Sequence, residues 1–157
     1  MNKSSRRRAR EFALQGLYQW RVGGGDPAAI RSQLEEAGGF AKADAEYFRV
    51  LWSGVTQQAN ELEAVLAPFL DRKLAELSPV ERSVLLIGAY ELAHRPEIPY
   101  RVAINEAVEL AKAYGGTDGH KFVNGVLDKL APTVREAEIV QGQRDKGTRD
   151  QGRGTKA

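Results

Sequence analysis

The feature that most constrains the fold of this chain is an almost wholly apolar segment at 84–92, which follows a strong helix start. Ser78 supplies an N-cap residue, Pro79 suits the first helical position, and Glu81 completes a capping-box pattern. A helix with so little room for a solvated face packs against other elements along most of its surface. The segment therefore predicts a central helix around which the others pack.

Helical periodicity also dominates the rest of the chain, and no convincing alternating pattern indicates a strand. We therefore predict an all-α fold. Gly23-Gly24-Gly25 ends a first helix over about 6–21, and Pro68 marks a kink or an end further on. The last helix is expected to stop before Pro132.

At 157 residues the chain is long enough to bury a hydrophobic core without disulfide bonds, and it has no cysteine. We predict a single helical domain over 1–140. From about Gln141 the composition changes to Gln, Gly, Arg, Asp, Lys and Thr, without a large apolar residue. Such a composition does not bury a core, so we expect a disordered polar tail over 141–157.

The densest group of cations lies at the first predicted helix start and consists of Arg6, Arg7, Arg8 and Arg10. A helix N-terminus carries a partial positive charge and favours Asp or Glu, so this placement costs stability. We interpret the four arginines as a site for an anionic partner, with phosphate groups as the natural ligand. The alternative is a solvated basic end without a ligand.

Projected at about 100° per residue, the first helix has an apolar stripe and an adjacent basic face. The stripe contains Ala9, Phe12, Ala13, Gly16, Leu17 and Trp20, and the adjacent face contains Arg7, Arg10, Leu14, Tyr18 and Arg21. Guanidinium groups interleaved with one aromatic ring suit a single-stranded nucleic acid, because phosphates pair with the cations and a base stacks on the ring. Tyr18 fits a half-buried core position equally well.

The net charge of +2 hides an uneven distribution. Residues 1–21 carry six Lys or Arg against one Glu, residues 22–136 carry 12 basic against 17 acidic residues, and residues 137–157 carry five against three. An acidic body with a basic end can hold nucleic acid on one side and a basic protein on another.

The sequence lacks the patterns typical of enzymes. The two histidines, His94 and His120, lack metal-ligand spacing, and no glycine segment completes a nucleotide-binding loop. The absence of cysteine excludes thiolate catalysis and Cys-based metal sites. No apolar run approaches a membrane span and the N-terminus lacks a signal-peptide core. We therefore expect a soluble cytoplasmic protein that is not an enzyme and uses neither cofactor nor metal.

A second candidate site lies at the start of the last predicted helix, after a glycine turn. Its side chains are Asp118, Lys121, Phe122 and Asn124. Amide groups at the helix start and Lys121 can hold a phosphate, and Phe122 can stack on a base. In the structural alternative, Asp118 caps the helix, Phe122 is a core residue and Asn124 bonds to the backbone.

The stretches PYRVAINEAVELAK at 99–112 and HKFVNGVLD at 120–128 resemble the NusB family of transcription antitermination factors, as does RRRARE at 6–11. The similarity extends over roughly residues 5–135. It implies an all-α fold of about seven helices in two packed small bundles, over about 1–75 and 76–136, without catalytic activity.

The resemblance also implies partners. Members of the family pair with the ribosomal protein NusE on the boxA element of nascent RNA. The complex joins RNA polymerase and other Nus factors and suppresses termination, notably on ribosomal RNA operons. We therefore expect single-stranded boxA-type RNA and NusE as partners. The sequence does not decide whether the free protein is a monomer or a homodimer.

Carried over to this sequence, the resemblance assigns RNA contacts to the arginine-rich helix start and to the second candidate site. The RNA-binding residues are then Arg6, Arg7, Arg8, Arg10, Tyr18, Lys121, Phe122 and Asn124. Glu81 and Asp118 would face the protein partner. Phe69 stands where the family has a familiar tyrosine, so we place no hydroxyl-dependent contact there.

Two other interpretations are open. A similar helical module is the N-terminal domain of RNA cytosine methyltransferases, but that interpretation requires a following Rossmann-like domain with a glycine-rich cofactor loop, which is not in this sequence. A plain helical protein–protein adaptor would tolerate replacement of the arginines, whereas an RNA-binding protein would not.

Overall fold

The computed structural model describes residues 3–142, and within that range it contains helices and no strand. The seven main helices are α1 Ser5–Gly23, α2 Pro27–Glu35, α3 Ala45–Gln57, α4 Ala59–Leu66, α5 Pro79–His94, α6 Tyr100–Tyr114 and α7 Gly119–Val134. Single-turn 3₁₀ helices cover Phe40–Lys42, Ala67–Phe69 and Leu74–Glu76, and a further helical segment covers 136–142. The all-α prediction is confirmed. In the described range, no helix has the length and apolarity to cross a membrane.

Helix α5 lies at the centre of the fold, as predicted. It packs against α1, α3, α4, α6 and α7. Every residue from Ser83 to Leu92 is buried. At its start, Ser78 Oγ accepts a hydrogen bond from the Glu81 N–H at 3.1 Å, which satisfies one of the free amide groups of the first turn.

The helices on the two sides of α5 share one core. Helix α1 packs on α2 and α3, whereas α6 and α7 pack on each other. The buried apolar side chains form one cluster that extends from Ala9 in α1 to Ala131 in α7. We propose on this basis that the helical body is one domain with two subbundles, joined through α5.

The C-terminal helix boundary differs from the prediction. Pro132 lies inside α7, which continues to Val134. The helix persists because Leu130 and Ala131 are buried in the core and the Arg135 N–H donates to the Ala131 carbonyl at 2.7 Å. Gln141, near which we expect the disordered tail to begin, belongs to the helical segment 136–142. The rest of the predicted tail lies outside the described residues.

A buried arginine connects the end of α7 to the end of α5. Arg135 is 6% exposed. Its guanidinium donates to the carbonyl oxygens of Glu91 at 3.0 Å, Leu92 at 2.6 Å and Arg95 at 2.9 Å. Carbonyl groups in the last turn of a helix lack intrahelical partners. Arg135 supplies donors for this region from a residue 40–44 positions later in the chain.

Candidate nucleic-acid interface

The first turn of α1 contains arginines and no acidic residue. Ser4 caps the helix, since its Oγ accepts a hydrogen bond from the Arg7 N–H at 3.0 Å. The carboxylates that balance Arg7 and Arg10 therefore come from other helices, and each of the four arginines meets a different environment.

Arg10, which we placed on the basic face next to the apolar stripe, is a buried residue. It is 3% exposed, and its Nε lies 2.8 Å from Oε2 of the buried Glu91 in α5. The Tyr47 hydroxyl donates to the same carboxylate. Leu14, from the same predicted face, is also buried. Glu91 thus supplies the anion that we had assigned to a phosphate.

The electrostatics of this buried cluster are tightly coupled. Burial raises the pKa of Glu91, while Arg10 and the Tyr47 hydroxyl act in the opposite direction because they favour the ionised carboxylate. Burial and the Glu91 charge raise the pKa of Tyr47, so its hydroxyl stays protonated and donates. Oε1 of Glu91 has no hydrogen-bond partner within residues 3–142.

Arg7 is half-exposed and carries its own counter-ion. Its Nε lies 2.9 Å from Oε2 of Glu106 in α6. The other oxygen of Glu106 lies 3.6 Å from a terminal nitrogen of Arg10. Two carboxylates, Glu91 and Glu106, therefore balance two of the four guanidinium groups.

Arg6 and Arg8 have no carboxylate partner within the described part of the chain, unlike Arg7 and Arg10. The guanidinium carbon of the exposed Arg6 lies 4.2 Å from the centroid of the Tyr47 ring. This distance is typical of a cation–π contact. These two arginines are the uncompensated cations of the helix start.

Arg8 and Tyr18 line the same cavity, with a volume of about 440 Å³. Tyr18 is 44% exposed, so it is a surface ring and not a half-buried core residue. Tyr114 and Glu11 also line this cavity. The Tyr114 hydroxyl donates to Glu11 at 2.9 Å, and Lys3 Nζ lies 2.6 Å from the same carboxylate oxygen. The cavity combines one free cation with two exposed aromatic rings.

The second candidate site is exposed at the start of α7. Asp118 occupies the N-cap position, but its side chain makes no capping hydrogen bond. Its Oδ1 lies instead 3.4 Å from Lys121 Nζ, and both side chains are about three-quarters exposed. Asn124 is exposed as well. The capping role that the structural alternative gave to Asp118 is therefore absent.

Phe122 is half-buried and packs against the core. The guanidinium carbon of Arg72 lies 4.5 Å from the centroid of its ring. Phe69 is also half-buried and packs against the core. A base that stacked on Phe122 would therefore share the ring with Arg72, which our sequence analysis did not single out.

Glu81 and Asp118 lie near each other because α5 and α7 begin at the same end of the molecule. Oε1 of Glu81 is 3.2 Å from the position that a Cβ atom would take on Gly119. The side chain therefore turns towards α7, and no return bond to the Ser78 N–H forms among the described residues. Two carboxylates, each next to a helix start, mark this end of the surface.

A surface groove of about 650 Å³ runs along the packed helices α6 and α7 and is lined by residues of both. Lys121 and Asn124 line it on the α7 side. On the α6 side, Arg101, Asn105 and Lys112 line it, and sequence reasoning missed all three. Their spacing places them on one helix face, a signal that could have identified them, but the apolar residues of α6 took precedence.

The structure thus gathers the predicted residues into two groups and does not join them directly. The first group, at the start of α1, reaches α6 through the ion pair of Arg7 with Glu106. The second, at the start of α7, shares the groove with α6. Both groups border α6, and the arrangement presents cations, amides and rings suited to a nucleic-acid strand. No group of three His, Asp or Glu in residues 3–142 has the arrangement of a metal site.

Comparison with known proteins identifies relatives over most of the chain. The model of the NusB family matches residues 7–132. Transcription antitermination protein NusB of Thiobacillus denitrificans is 60% identical over 135 residues, which cover 86% of this chain and 93% of the relative. The protein of the same name from Nitrosospira multiformis is 65% identical over 130 residues, which cover 83% of this chain and 82% of the relative.

Solved structures have the same fold. NusB from T. maritima superposes with a TM-score of 0.76 at 30% identity, over 88% of this chain and 99% of that one. A second similar structure is the crystal structure of NusB and NusE in complex with double-stranded RNA. The chain in it that resembles this protein superposes with a TM-score of 0.75 at 28% identity, over 82% of this chain and 97% of that one. Sequence and fold agree, and the chain belongs to the NusB family.

Proposed function

We propose that the protein is an RNA-binding transcription antitermination factor. In this proposal it pairs with NusE, binds the boxA element of nascent ribosomal RNA, and works with other Nus factors to suppress termination by RNA polymerase. The observation that carries the proposal is the start of α1, where Arg6 and Arg8 have no carboxylate partner among residues 3–142, at a helix end that favours anions. The names of the relatives and a similar structure with NusE and RNA support it.

The proposed RNA face has unequal contributors. Arg6 and Arg8 offer free positive charge, whereas the charge of Arg7 is already balanced by Glu106. Arg10 is excluded, because its guanidinium is buried against Glu91. Tyr18 and Phe122 supply rings, and Lys121 and Asn124 supply donors at the second site.

We propose that NusE docks near the starts of α5 and α7. Glu81 and Asp118 place two carboxylates at this end of the molecule, and Val80, which precedes Glu81 in the chain, lines the cavity that also contains Tyr18. Carboxylates with a partly apolar cavity wall beside Glu81 suit a partner with basic and apolar groups. This site adjoins the RNA face, so both partners can bind together.

The test is a binding measurement with boxA RNA and with a scrambled RNA, each with and without NusE, over a range of salt concentrations. The Arg6→Ala/Arg8→Ala double variant should lose about tenfold or more in affinity. Its slope of log affinity against log salt should fall by about 1.4, since each phosphate contact to a single strand contributes about 0.7. Arg49→Ala is the matched control, because Arg49 is an exposed arginine on α3 paired with Glu35.

Unchanged affinity in the Arg6/Arg8 variant would refute the RNA face. Binding without preference for boxA and without enhancement by NusE would reduce the site to a general basic patch. A third outcome is that the protein binds NusE stably, that the arginine variant does not change this binding, and that no RNA is bound. This outcome would favour the protein–protein adaptor.

A further inference from the structure

The ring of Tyr47 lies beneath the cations of the α1 start. Tyr47 is 2% exposed, and Arg6 covers one face of its ring at 4.2 Å from guanidinium carbon to ring centroid. The guanidinium carbons of Arg10 and Arg95 lie 5.5 and 5.7 Å from the same centroid. One buried aromatic ring therefore contacts three arginines, of which Arg6 is the exposed one.

Tyr47 is held in place at its backbone and at its hydroxyl. The backbone N–H of Tyr47 donates to Oδ1 of Asp44 at 3.0 Å, in the capped first turn of α3. Its hydroxyl donates to Glu91, which the buried Arg10 also contacts. A side chain held by its backbone, its hydroxyl and the surrounding core has little rotamer freedom, so the surface that it offers to Arg6 is rigid.

The contact of Arg6 with Tyr47 differs in kind from that of Arg7 with Glu106. A carboxylate fixes a guanidinium but neutralises it. An aromatic face also fixes the guanidinium plane, yet it leaves the net charge and the N–H donors at the edge of the group available. A cation that is held in position before binding loses less conformational entropy when a phosphate arrives.

We infer that Tyr47 is a positioning residue for RNA binding, which fixes the guanidinium of Arg6 for a phosphate of the strand. The inference rests on the proposed RNA face at the start of α1. It assigns an RNA-binding role to a buried side chain that RNA does not touch.

A double-mutant cycle on the full chain with NusE and boxA RNA tests this inference. Tyr47→Leu should weaken RNA binding about two- to fivefold, the equivalent of a cation–π contact at an exposed site. Arg6→Ala should weaken it at least as much. In the Arg6→Ala background, Tyr47→Leu should cause no further loss, because Tyr47 acts through Arg6.

Tyr47→Phe is the control for a purely structural role. It keeps the ring under Arg6 and removes the hydroxyl that donates to Glu91, so it should lower the denaturation midpoint and leave RNA affinity within about twofold. Arg6→Lys is a surface variant that leaves the core intact. It keeps the charge without the planar group that stacks, and it should lose affinity about as much as Tyr47→Leu.

Three results would each overturn the positioning role and leave the RNA face intact. The first is a double variant in which the two losses of affinity add, and the second is a Tyr47→Phe protein whose RNA affinity falls together with its stability. The third is wild-type affinity in Arg6→Lys. Wild-type affinity in Arg6→Ala would overturn both the positioning role and the RNA face. If Tyr47→Leu does not fold, the Arg6→Lys and Tyr47→Phe results decide the matter by the same criteria.

Discussion

Arg10 and Glu91 form an ion pair with side chains only 3% and 1% exposed, between the first helix and the central one. Removing two charges from water is costly, and the attraction between them offsets that cost. The folded protein is therefore strongly destabilised when either member of the pair is removed. Tyr47 adds a hydrogen bond to the same carboxylate. At the scale of single residues, one arginine of the basic start thus belongs to the fold and its neighbours belong to the surface.

Arg10→Ala should therefore lower the free energy of unfolding by about 3–5 kcal/mol, because it leaves Glu91 as an unpaired buried charge. Arg8→Ala is the control, since Arg8 has no carboxylate partner in the described chain. Its effect should stay within about 0.5 kcal/mol. Urea denaturation followed by circular dichroism measures both, and equal effects would contradict the distinction.

Glu91 also predicts a dependence of stability on pH. Burial raises its pKa in the folded state above the ordinary value of 4.5. The folded state then holds the proton more tightly than the unfolded state, so the stability from this group is present below the ordinary pKa and is lost as pH rises through the raised one.

The free energy of unfolding of the wild type, relative to Glu91→Gln, should accordingly decrease as pH rises above the ordinary carboxyl pKa of 4.5. Denaturation curves for both proteins at each pH give this difference. A difference that is constant or that increases with pH would refute the assignment.

At the scale of helices, glycines allow close packing around α5. A Cβ atom on Gly54 in α3 would collide with the Tyr90 ring of α5. A Cβ on Gly88 in α5 would lie 2.6 Å from Leu127 in α7. At Gly125 in α7, by contrast, the corresponding position has no atom within 4 Å apart from the adjoining residues and the backbone of its own helix.

Gly54→Ala should reduce the free energy of unfolding by about 1–3 kcal/mol, since the collision with Tyr90 outweighs the better helix propensity of alanine. Gly125→Ala should increase it by up to about 1 kcal/mol, because only the propensity changes. Thermal denaturation of the two variants is the measurement. A stabilised Gly54→Ala protein would show that the α3–α5 crossing tolerates a wider separation.

Helices were predictable where local signals determine them. Ser78 and Pro79 correctly located the start of α5, and the glycines after α1 located its end. Pro132 misled the prediction because burial of its neighbours holds α7 together. The role of Arg10 was not predictable either, because its partner Glu91 is 81 residues away and no local sequence pattern links the two. Cations were predictable as a group, but their individual partners depend on the tertiary fold.

At the scale of the whole molecule, α5 contacts helices on both sides and one core spans the fold. Such an arrangement favours unfolding as one cooperative unit. Both tryptophans, Trp20 and Trp52, lie in the first half of the chain. Their fluorescence therefore reports on that half alone.

Leu127→Ala, in the fully buried part of α7, should lower the free energy of unfolding by about 2–5 kcal/mol. The tryptophan fluorescence transition should shift together with the circular dichroism transition, although the substitution lies in the other half. Separate transitions would show that the two subbundles are independent domains and would contradict the one-domain proposal.

The long-range ion pairs of α1 also set an order of events during synthesis. Arg7 and Glu106 are 99 residues apart, so at about 5–20 residues per second a growing chain carries α1 for roughly 5–20 s before Glu106 is made. Glu91 reaches Arg10 somewhat earlier, at a separation of 81 residues. In the nascent chain all four guanidinium groups carry uncompensated charge. The four groups become different only when α5 and α6 have been made, because Glu91 and Glu106 then pair with Arg10 and Arg7 and withdraw them from indiscriminate contact with polyanions.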